Sequence, residues 1–367
     1  MVFLLIISFL MAVLVSLVCI LRMRKHAASY AKNLPQRFHV GAVPRLGGLA
    51  LLAGVGAAWL IAAASVSLEW RFNVRVSWFT ALVWLAVLLP AVLGGIAEDL
   101  SQKLSVRLRL GLTACSALLA CFLLGLTVSR LGIFWLDEAL QAWPWVGVLM
   151  AFFAICGLPH AFNLIDGFNG LAGSVAAVIA LTITYVALLV GDRELAAMIL
   201  CLVGATAGFL VWNYPRGLLF AGDGGAYLWG IVIAIASISL VQRHENVSPW
   251  FPMLLLMYPV WETVFSIYRK LARGVSPGTA DALHFHQLIH RRIVRRVFHD
   301  DKAMQMLLRN NRTSPYLWGF AMLSVVPAVL FWNETPVLMT CCFLFAIIYV
   351  GAYLMVVRFK VPNWLRS

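Results

Sequence analysis

Long runs of apolar residues, separated by short polar stretches, occupy most of this chain. Runs of about 17–23 residues recur about eleven times, and each is long enough to cross roughly 30 Å of hydrocarbon as an α-helix. The predicted helices lie near residues 2–21, 46–67, 77–97, 108–128, 145–162, 171–190, 195–212, 218–240, 250–268, 316–332 and 336–357. The pattern predicts an all-α integral membrane protein in which residues 1–367 form a single polytopic domain.

Composition agrees with this fold class. Hydrophobic residues make up 62% of the chain and charged residues 12%, whereas about 25% of the residues of a typical soluble domain are charged. The first apolar run is followed by Arg22, Arg24 and Lys25 and shows no small-residue cleavage site, so we expect an anchor that stays in place. All seven cysteines fall in apolar segments and none forms a C-x-x-C pair, which indicates neither a disulfide framework nor a zinc ribbon.

The basic residues are divided unequally between the two sides of this topology. With the N-terminus periplasmic and the C-terminus cytoplasmic, the inner loops hold 23 Lys and Arg residues and the outer loops hold 5. The positive-inside rule therefore fixes the orientation, and residues 269–316 become a large basic cytoplasmic loop. The net charge of +13 is therefore concentrated on the inner side of the membrane, which suits anionic headgroups and phosphorylated substrates. No basic domain stands apart from the membrane, so we expect no nucleic-acid partner.

Five acidic residues fall at or within the predicted inner ends of helices, where ionisable side chains are candidates for function. They are Glu98, Asp99, Asp166, Asp223 and Glu262. Any one of them could be a helix cap or a member of an interhelical ion pair. Several on one face of the membrane indicate instead a site for chemistry.

Two of the acidic motifs lie at the ends of predicted helices. Glu98 and Asp99 close the third helix in GGIAEDLSQKLSVRLRL, and adjacent carboxylates that both stay ionised usually have a cation nearby. In AFNLIDGFNG, residues Asn163, Asp166 and Asn169 are three apart, and they would share one helix face if the helix continued to about residue 170. Glycines beside them would let the backbone approach a flat ligand closely. Oxygen ligands of this kind select a hard ion such as Mg²⁺.

Two further motifs carry an acid and a group of histidines. In FAGDGGAYLWG, Asp223 stands between two glycines one turn into an apolar segment, which solubility does not explain. The loop SPGTADALHFHQLIHRRIVRR places His284, His286 and His290 beside several arginines. Phosphate binding is the preferred interpretation. A solvated basic loop remains an alternative, as does a transition-metal site with Asp281 completing the ligands.

The stretch HVGAVPRLGG opens the second helix. It could be a simple turn into the membrane, or it could hold Arg45 at the membrane surface as a phosphate ligand.

Taken in order, these five segments resemble the polyprenyl-phosphate N-acetylhexosamine-1-phosphate transferases, glycosyltransferase family 4. The motifs read VPRLGG, ED, NLIDGFNGL, GDGGA and HFHQ here, and the resemblance extends from about residue 39 to 290. Within the family, VPRLGG and the SPG before the histidine loop are more similar to the GlcNAc-1-phosphate transferase branch. The count of about eleven helices also fits.

Four positions depart from the family pattern. Glu98 replaces the first Asp of a D-D pair, and Asn169 replaces the second Asp of the central motif. Gln287 replaces the last His of H-x-H-H, and His160 stands where Asn is common. The last two bear on the sugar and phosphate contacts, and none removes the acid expected to bind metal.

The resemblance implies that a sugar-1-phosphate is transferred from a UDP-N-acetylhexosamine, with GlcNAc preferred, to undecaprenyl phosphate, releasing UMP. It implies Mg²⁺, or Mn²⁺, held by Asp223, and catalytic roles for Glu98, Asp99, Asn163 and Asp166. By the same resemblance, Gly167, Phe168, Asn169 and Phe220 would frame the uridine, and Arg45, His284 and His286 would hold phosphates or the sugar.

The expected location is the bacterial inner membrane, with the active site on the cytoplasmic face and a surface glycan such as O-antigen as the end product. Membrane lipid is the surrounding partner, and family members often form dimers, so a homodimer is one option. Phospho-MurNAc-pentapeptide transfer is the nearer alternative, and testing UDP-MurNAc-pentapeptide as donor discriminates it. A secondary transporter is the alternative from another class; it predicts an internal repeat and paired broken helices at the midplane.

Overall fold

A computed structural model describes residues 1–28, 41–67, 76–276, 283–294, 297 and 299–358. Every regular element in this described part of the chain is helical. The helices are α1 (Val2–Ala27), α2 (Gly47–Ser67), α3 (Trp78–Ser101), α4 (Val106–Leu123), α5 (Phe134–Ala142), α6 (Pro144–Ile165), α7 (Leu171–Leu189), α8 (Arg193–Asn213), α9 (Gly222–Arg243), α10 (Trp250–Leu255), α11 (Met257–Leu271), α12 (Phe285–Arg292), α13 (Lys302–Leu330) and α14 (Thr335–Val357). The predicted all-α class is confirmed.

Ten of these helices are long and apolar enough to cross a membrane, by length and composition: α1 to α4, α6 to α9, α13 and α14. The chain is therefore a multi-pass membrane protein. The predicted count of eleven spans is not reproduced in the described residues, because the predicted helix 250–268 is two shorter helices, α10 and α11, that meet at Leu256.

Local sequence explains several of the helix starts. Ser77, Ser105 and Asp192 are N-cap residues whose side chains accept hydrogen bonds from backbone N–H groups in the first turns of α3, α4 and α8. These side chains satisfy donors that a helix leaves without an internal partner. Pro144 lies in the first turn of α6, where its missing N–H is not needed.

Helix α9 is the centre of the bundle. It packs against α2, α3 and α6, and 89% of its most apolar stretch is buried inside the protein. The corresponding fraction is 28% for α1 and 22% for α4, which leaves most of their surface for lipid. A membrane helix can be apolar on all sides whether it faces protein or lipid, so burial and not apolar composition distinguishes α9 from α1.

The first residues of α2 and α9 lie close to the last residues of α3 and α6. Backbone hydrogen bonds join Gly47 and Gly48 to Phe220 and Ala221, and Asp99 near the end of α3 contacts the start of α9. Polar groups at these helix ends therefore meet at one end of the bundle.

Candidate functional site

A cavity of about 510 Å³ lies where these helix ends meet. Eleven of the twelve residues predicted from the sequence to form a site line it: Arg45, Glu98, Asp99, Asn163, Asp166, Gly167, Phe168, Phe220, Asp223, His284 and His286. The remaining one, Asn169, lines an adjoining cavity of about 340 Å³. The structure therefore brings together residues that lie up to 241 positions apart in the sequence.

The segment before α2 and the segment before α9 run side by side. The Phe220 N–H donates to the Pro44 carbonyl at 2.9 Å, and the Gly47 N–H donates to the Phe220 carbonyl at 2.9 Å. These two bonds hold Arg45 and Phe220 beside each other at the wall of the cavity. The motif VPRLGG thus has a structural role as well as supplying a cation.

Asp99 holds the first turn of α9. Its Oδ1 accepts a hydrogen bond from the Asp223 N–H at 2.9 Å, and its Oδ2 accepts one from the Gly224 N–H at 3.0 Å. Gly222 has a φ of +70°, and a Cβ at that position would collide with the Asp99 carboxylate. Glycine is therefore required here by both backbone conformation and space.

Glu98 points away from its neighbour. Its Oε2 accepts a hydrogen bond at 2.7 Å from the Leu104 N–H, in the turn that leads to α4. The sequence suggested that a cation would lie near Glu98 and Asp99, and Arg45 and Arg109 line the same cavity; backbone N–H groups also contact both carboxylates. The longer side chain of Glu98 allows it to reach across this turn.

Asp223 is the most heavily bonded acid of the cavity. Its Oδ1 accepts from Asn163 Nδ2 at 2.6 Å, and its Oδ2 accepts from Arg109 Nη1 at 2.6 Å and from the Tyr227 hydroxyl at 3.2 Å. The carboxylate side chain is 17% exposed, so it is reachable from the cavity. Side chains from three other helices, α3, α4 and α6, therefore meet the first turn of α9.

The expectation that Asn163, Asp166 and Asn169 share one helix face is wrong. Helix α6 ends at Ile165, and the chain then turns through Gly170, whose φ is +72°. Asn163 and Asp166 remain at the main cavity, whereas Asn169 is turned into the adjoining one and is 2% exposed. The glycines that were expected to let the backbone approach a flat ligand lie in the turn between α6 and α7.

Burial changes the ionisation of Asp166. Desolvation by the surrounding protein raises its pKa from the ordinary value to about 7, and Arg45 opposes the rise whereas Asp223 adds to it. A carboxyl group with this pKa is only partly ionised at neutral pH. A cation or an additional N–H donor brought by a ligand would favour its ionised form.

Helix α13 holds the turn that follows α6. Asn310 Oδ1 accepts from the Asn169 N–H at 2.8 Å, Ser314 Oγ donates to the Asn169 carbonyl at 2.5 Å, and Trp318 Nε1 donates to the Gly170 carbonyl at 3.1 Å. These three side chains follow one face of α13 at a spacing of four residues. The apolar run begins only at residue 316, whereas α13 begins at Lys302, so the contacts of Asn310 and Ser314 could not be predicted from that run.

The adjoining cavity contains a buried acceptor. Asn169 Nδ2 donates to Asn311 Oδ1 at 2.9 Å, while Asn169 Oδ1 is buried without a hydrogen bond. Arg24 and Arg216 also line this cavity, and Phe220 and Asn310 line both cavities. The two cavities therefore meet at Phe220.

The histidine loop closes one side of the main cavity. His284 and His286 line the cavity, whereas His290 Nδ1 lies 3.0 Å from the Thr313 hydroxyl of α13. Among the described residues no group of three His, Cys, Asp or Glu side chains is arranged to hold a metal. This gives no support to a transition-metal site, and Asp281, its suggested fourth ligand, lies outside the described residues.

Arg291 and Arg292, which follow these histidines in the sequence, do not line the main cavity. Arg292 donates through Nη1 to the carbonyls of Val356 and Val357 and so caps the end of α14. Arg295 and Arg296, together with the start of the motif at His39, lie outside the described residues. Arg292 therefore stabilises the end of α14. Among the described residues, the Arg and Lys side chains that line the main cavity are Arg45, Arg109 and Lys270.

Three contributors were missed at the sequence level. Tyr227 lies four residues after Asp223, so helical periodicity could have placed it on the same face. Arg109 is separated from Asp223 by 114 positions, and no local pattern joins them. Lys270 lies in the last turn of α11, the second of the two helices that replace the predicted helix 250–268.

The acids and amides of the cavity fit a Mg²⁺ ion bound through few protein ligands. The Asp223 side chain is 17% exposed, whereas Asp99 is 5% exposed and uses both oxygens to hold backbone N–H groups, so Asp223 is better placed than Asp99 to meet a hard cation from the cavity. Mg²⁺ commonly binds through one or two carboxylates and completes its shell with water and substrate phosphates. A dedicated cage of three or more side chains is therefore not required.

Comparison with known proteins gives matches that include this region. Residues 81–241 match the profile described as glycosyl transferase family 4. A protein of Bacillus subtilis (strain 168) named "Probable undecaprenyl-phosphate N-acetylglucosaminyl 1-phosphate transferase" is 28% identical over 257 residues, which are 68% of this chain and 66% of that protein. A Thermotoga maritima protein named "Undecaprenyl-phosphate alpha-N-acetylglucosaminyl 1-phosphate transferase" is 29% identical over 56% of this chain and 60% of its own length.

A third relative matches a longer stretch. The Mycolicibacterium smegmatis protein named "Decaprenyl-phosphate N-acetylglucosaminephosphotransferase" is 27% identical over 305 residues, 75% of this chain and 73% of that protein. The chain spans slightly less than two thirds of the first two relatives. The matched profile extends from within α3 to within α9 and includes Glu98, Asp99, Asn163, Asp166 and Asp223.

Proposed function

We propose that this protein transfers a sugar-1-phosphate from a UDP-N-acetylhexosamine to undecaprenyl phosphate and releases UMP. The observation that carries the proposal is that five separate motifs contribute to one cavity lined by four carboxylates and three cations. In the reaction, the bond between the β-phosphorus and the oxygen bridging to UMP breaks. A bond forms between the same phosphorus and an oxygen of the lipid phosphate, and the bridging oxygen leaves with UMP.

The names of the relatives favour this reaction and this sugar. Two of them are named as undecaprenyl-phosphate N-acetylglucosaminyl 1-phosphate transferases, and a third as a decaprenyl-phosphate N-acetylglucosaminephosphotransferase. We therefore prefer GlcNAc as the sugar and a polyprenyl phosphate as the acceptor.

Phe220 and Asn169 are the residues that we assign to the uracil. Phe220 lies where the two cavities meet, and an aromatic ring there gives a base a surface for stacking. The Asn169 Oδ1 is a buried acceptor without a hydrogen bond, and the uracil ring N–H is a suitable donor for it. Gly167 and Phe168 belong to the same turn as Asn169, between α6 and α7, and would contact the nucleotide from the main cavity.

The diphosphate is assigned to the cations of the main cavity. Arg45, Arg109 and Lys270 line it, and positive charge is required because both the acceptor and the bond to be broken carry negative phosphates. Mg²⁺, or Mn²⁺, would be held by Asp223, with Asn163 and Arg109 as its neighbours. The ion would supply neutralisation of the diphosphate charge.

Asp99 and Glu98 are assigned a positioning role at the acceptor side. Asp99 fixes the backbone that carries Asp223, and Glu98 fixes the turn that leads to Arg109 in α4. A phosphate monoester already carries one to two negative charges at neutral pH. The acceptor therefore does not depend on a carboxylate to remove a proton. For Asp166 we expect a change of ionisation when a charged ligand binds.

The reaction is assigned to the cytoplasmic face of the bacterial inner membrane. This follows from the positive-inside rule, because the cavity lies at the helix ends next to the basic loops. The product would start a lipid-linked surface glycan such as O-antigen. We also include a homodimer in the proposal as the assembly state to be tested, by measuring mass in detergent.

The test is UMP release by purified protein supplied with Mg²⁺, undecaprenyl phosphate and a panel of UDP-N-acetylhexosamines that includes UDP-MurNAc-pentapeptide. The proposal predicts UMP that depends on both the lipid and the metal, with UDP-GlcNAc as the preferred donor. UMP release from UDP-MurNAc-pentapeptide alone would move the assignment to peptidoglycan synthesis. No UMP from any donor, with protein that is folded and binds no UDP-sugar, would contradict it.

A further inference from the structure

We propose that Glu262 is a positioning residue of this site, which fixes the orientation and the ring tautomer of His284 and His286. Glu262 lies on α11, outside the matched family profile, and does not line the cavity itself. The geometric part of the inference concerns the ligand-free protein. The group that His286 would bind on the donor sugar and the consequence for turnover rest on the proposed function.

Glu262 is a carboxylate buried among specific donors. It is 1% exposed, its Oε1 accepts from the Phe285 N–H at 2.8 Å, and its Oε2 accepts from the Tyr349 hydroxyl at 2.7 Å. The charge is thus held between the first residue of α12 and a residue of α14. A buried carboxylate is costly unless it is paired and hydrogen-bonded, so its presence in this position calls for a role.

Both histidines turn the same nitrogen toward this carboxylate. The distance to Glu262 Oε1 is 3.6 Å from His284 Nδ1 and 3.8 Å from His286 Nδ1. The two imidazole rings stack with an angle of 5° between them and 5.4 Å between their centres. Residues two apart do not face each other on a helix, and they do so here because His284 is the N-cap of α12 with an extended backbone.

The opposite edge of His286 faces the turn after α6. A Cβ built on Gly167 would lie 3.1 Å from His286 Nε2, and the Phe168 ring packs edge-on against the His286 ring at 5.7 Å. Glu262, the His286 ring and the Asp166–Phe168 turn therefore form a continuous chain of contacts. The carboxylate lies at one end of it and the cavity at the other.

A negative charge near Nδ1 favours the tautomer that carries its proton there. Nε2 then presents a lone pair at the Gly167 side. Burial also lowers the pKa of His286 to about 3, against the opposing effect of Glu262, so the ring is neutral. A neutral Nε2 acceptor repels phosphate oxygens and accepts from an O–H or N–H group, so we assign it to a hydroxyl or amide of the donor sugar.

The direct test is the ¹⁵N spectrum of histidine-labelled protein in detergent at pH 7.5. The His286 signals are identified by their loss in His286→Gln. The wild-type protein is expected to carry the His286 proton on Nδ1, and Glu262→Gln to give a mixture of tautomers. Tyr349→Phe is the matched control, because it removes one hydrogen bond from Glu262 but keeps the charge, and it should preserve the wild-type spectrum.

An Nε2 proton in wild-type protein, or an unchanged tautomer in Glu262→Gln, would overturn the inference. Equal disturbance by Tyr349→Phe would also overturn it, because the carboxylate would then not be the cause. If Glu262→Gln fails to fold, Glu262→Asp provides the comparison, since it keeps the charge but withdraws it from the rings and should shift the tautomer partly.

Turnover gives the second readout. Replacing groups that orient metal-binding histidines typically costs about 10–100-fold in affinity or activity, and by analogy Glu262→Gln should lower kcat or raise the KM for the UDP-sugar by at least about tenfold. The KM for undecaprenyl phosphate should not change. If the wild-type protein shows the predicted tautomer but no activity, only the proposed function is contradicted. Normal activity of Glu262→Gln would contradict the positioning role of Glu262.

Discussion

Asp223 shows at the level of single residues how charge and backbone are combined in this protein. Its side chain contacts Asn163, Arg109 and Tyr227, while its own N–H donates to Asp99. Three of these four partners come from other helices. Removing the Asp223 carboxylate therefore changes the charge of the cavity and also takes a hydrogen-bond acceptor from Asn163, Arg109 and Tyr227.

Asp223→Asn is expected to reduce UMP release by at least about a hundredfold. The amide keeps the size of the side chain but loses the charge that would bind a divalent cation, and electrostatic groups of this kind are worth about 10²–10³ in kcat. Asp300→Asn is the matched control, because Asp300 is an exposed acid outside the cavity. Measurement of initial rates against Mg²⁺ concentration should show full activity for the control and no rescue of Asp223→Asn by added metal.

At the level of elements, the structure depends on contacts between helices that are far apart in sequence. Helix α13 holds the turn between α6 and α7 through Asn310, Ser314 and Trp318. Helix α12 lies between α13 and α14 and carries the histidines to the cavity. The C-terminal helices therefore shape one wall of the site.

Asn310→Ala should lower both stability and donor binding. The Asn169 N–H is buried and would lose its acceptor, and an unsatisfied buried donor costs about 1–3 kcal/mol. Thermal unfolding in detergent should show a lower midpoint, and the KM for UDP-GlcNAc should rise because Asn169 also lines the second cavity. Arg312→Ala, an exposed position on the same helix, should leave both values unchanged. An unaltered KM for UDP-GlcNAc in Asn310→Ala would mean that α13 does not contribute to donor binding.

The docking of α12 should weaken as the pH falls. Burial lowers the pKa of His286 to about 3 and that of His290 to about 4, compared with about 6.5 in an unfolded chain. Glu262 and His284 face the first ring, and the charges of Arg309 and Arg291 also disfavour protonation of the second. Below about pH 6.5 the unfolded state binds protons that the native state does not, so stability is retained above that pH and lost below it.

Each buried histidine should contribute a loss of stability whose slope rises toward about 1.4 kcal/mol per pH unit as the pH falls below about 6.5. Denaturation in detergent between pH 7 and pH 5 measures the slope, and His286→Gln should reduce it. His299→Gln replaces an exposed histidine and should leave the slope nearly as it is. A slope that is the same in His286→Gln and in wild-type protein would mean that His286 is not buried in its neutral form.

For the whole molecule, the apolar pattern was sufficient to predict a membrane-spanning helical bundle. Length and hydrophobicity decide whether a segment crosses a bilayer, and both can be determined from the sequence alone. The pattern did not reveal the break at Leu256 or the start of α13 at Lys302, because neither position interrupts or extends an apolar run in a distinctive way. Packing against other helices determines such boundaries.

The site was predictable to the extent that its residues lie in compact motifs. Glu98, Asp99, Asp166 and Asp223 could be selected because acids in apolar surroundings are rare. The partnership of Arg109 with Asp223, the displacement of Asn169 and the place of Glu262 behind the histidines depend on tertiary contacts across 23 to 114 positions or on a helix end. No local period encodes such contacts.

The most direct measurement follows the β-phosphate of the donor. Purified protein is supplied with Mg²⁺, undecaprenyl phosphate and UDP-GlcNAc labelled with ³²P at the β-position, and the lipid and aqueous phases are separated. Transfer of a sugar-1-phosphate predicts that the label moves to the lipid in a one-to-one ratio with unlabelled UMP. Label that stays in the aqueous phase as UDP, with sugar found on the lipid, would mean that the sugar moves without its phosphate and would contradict the central claim.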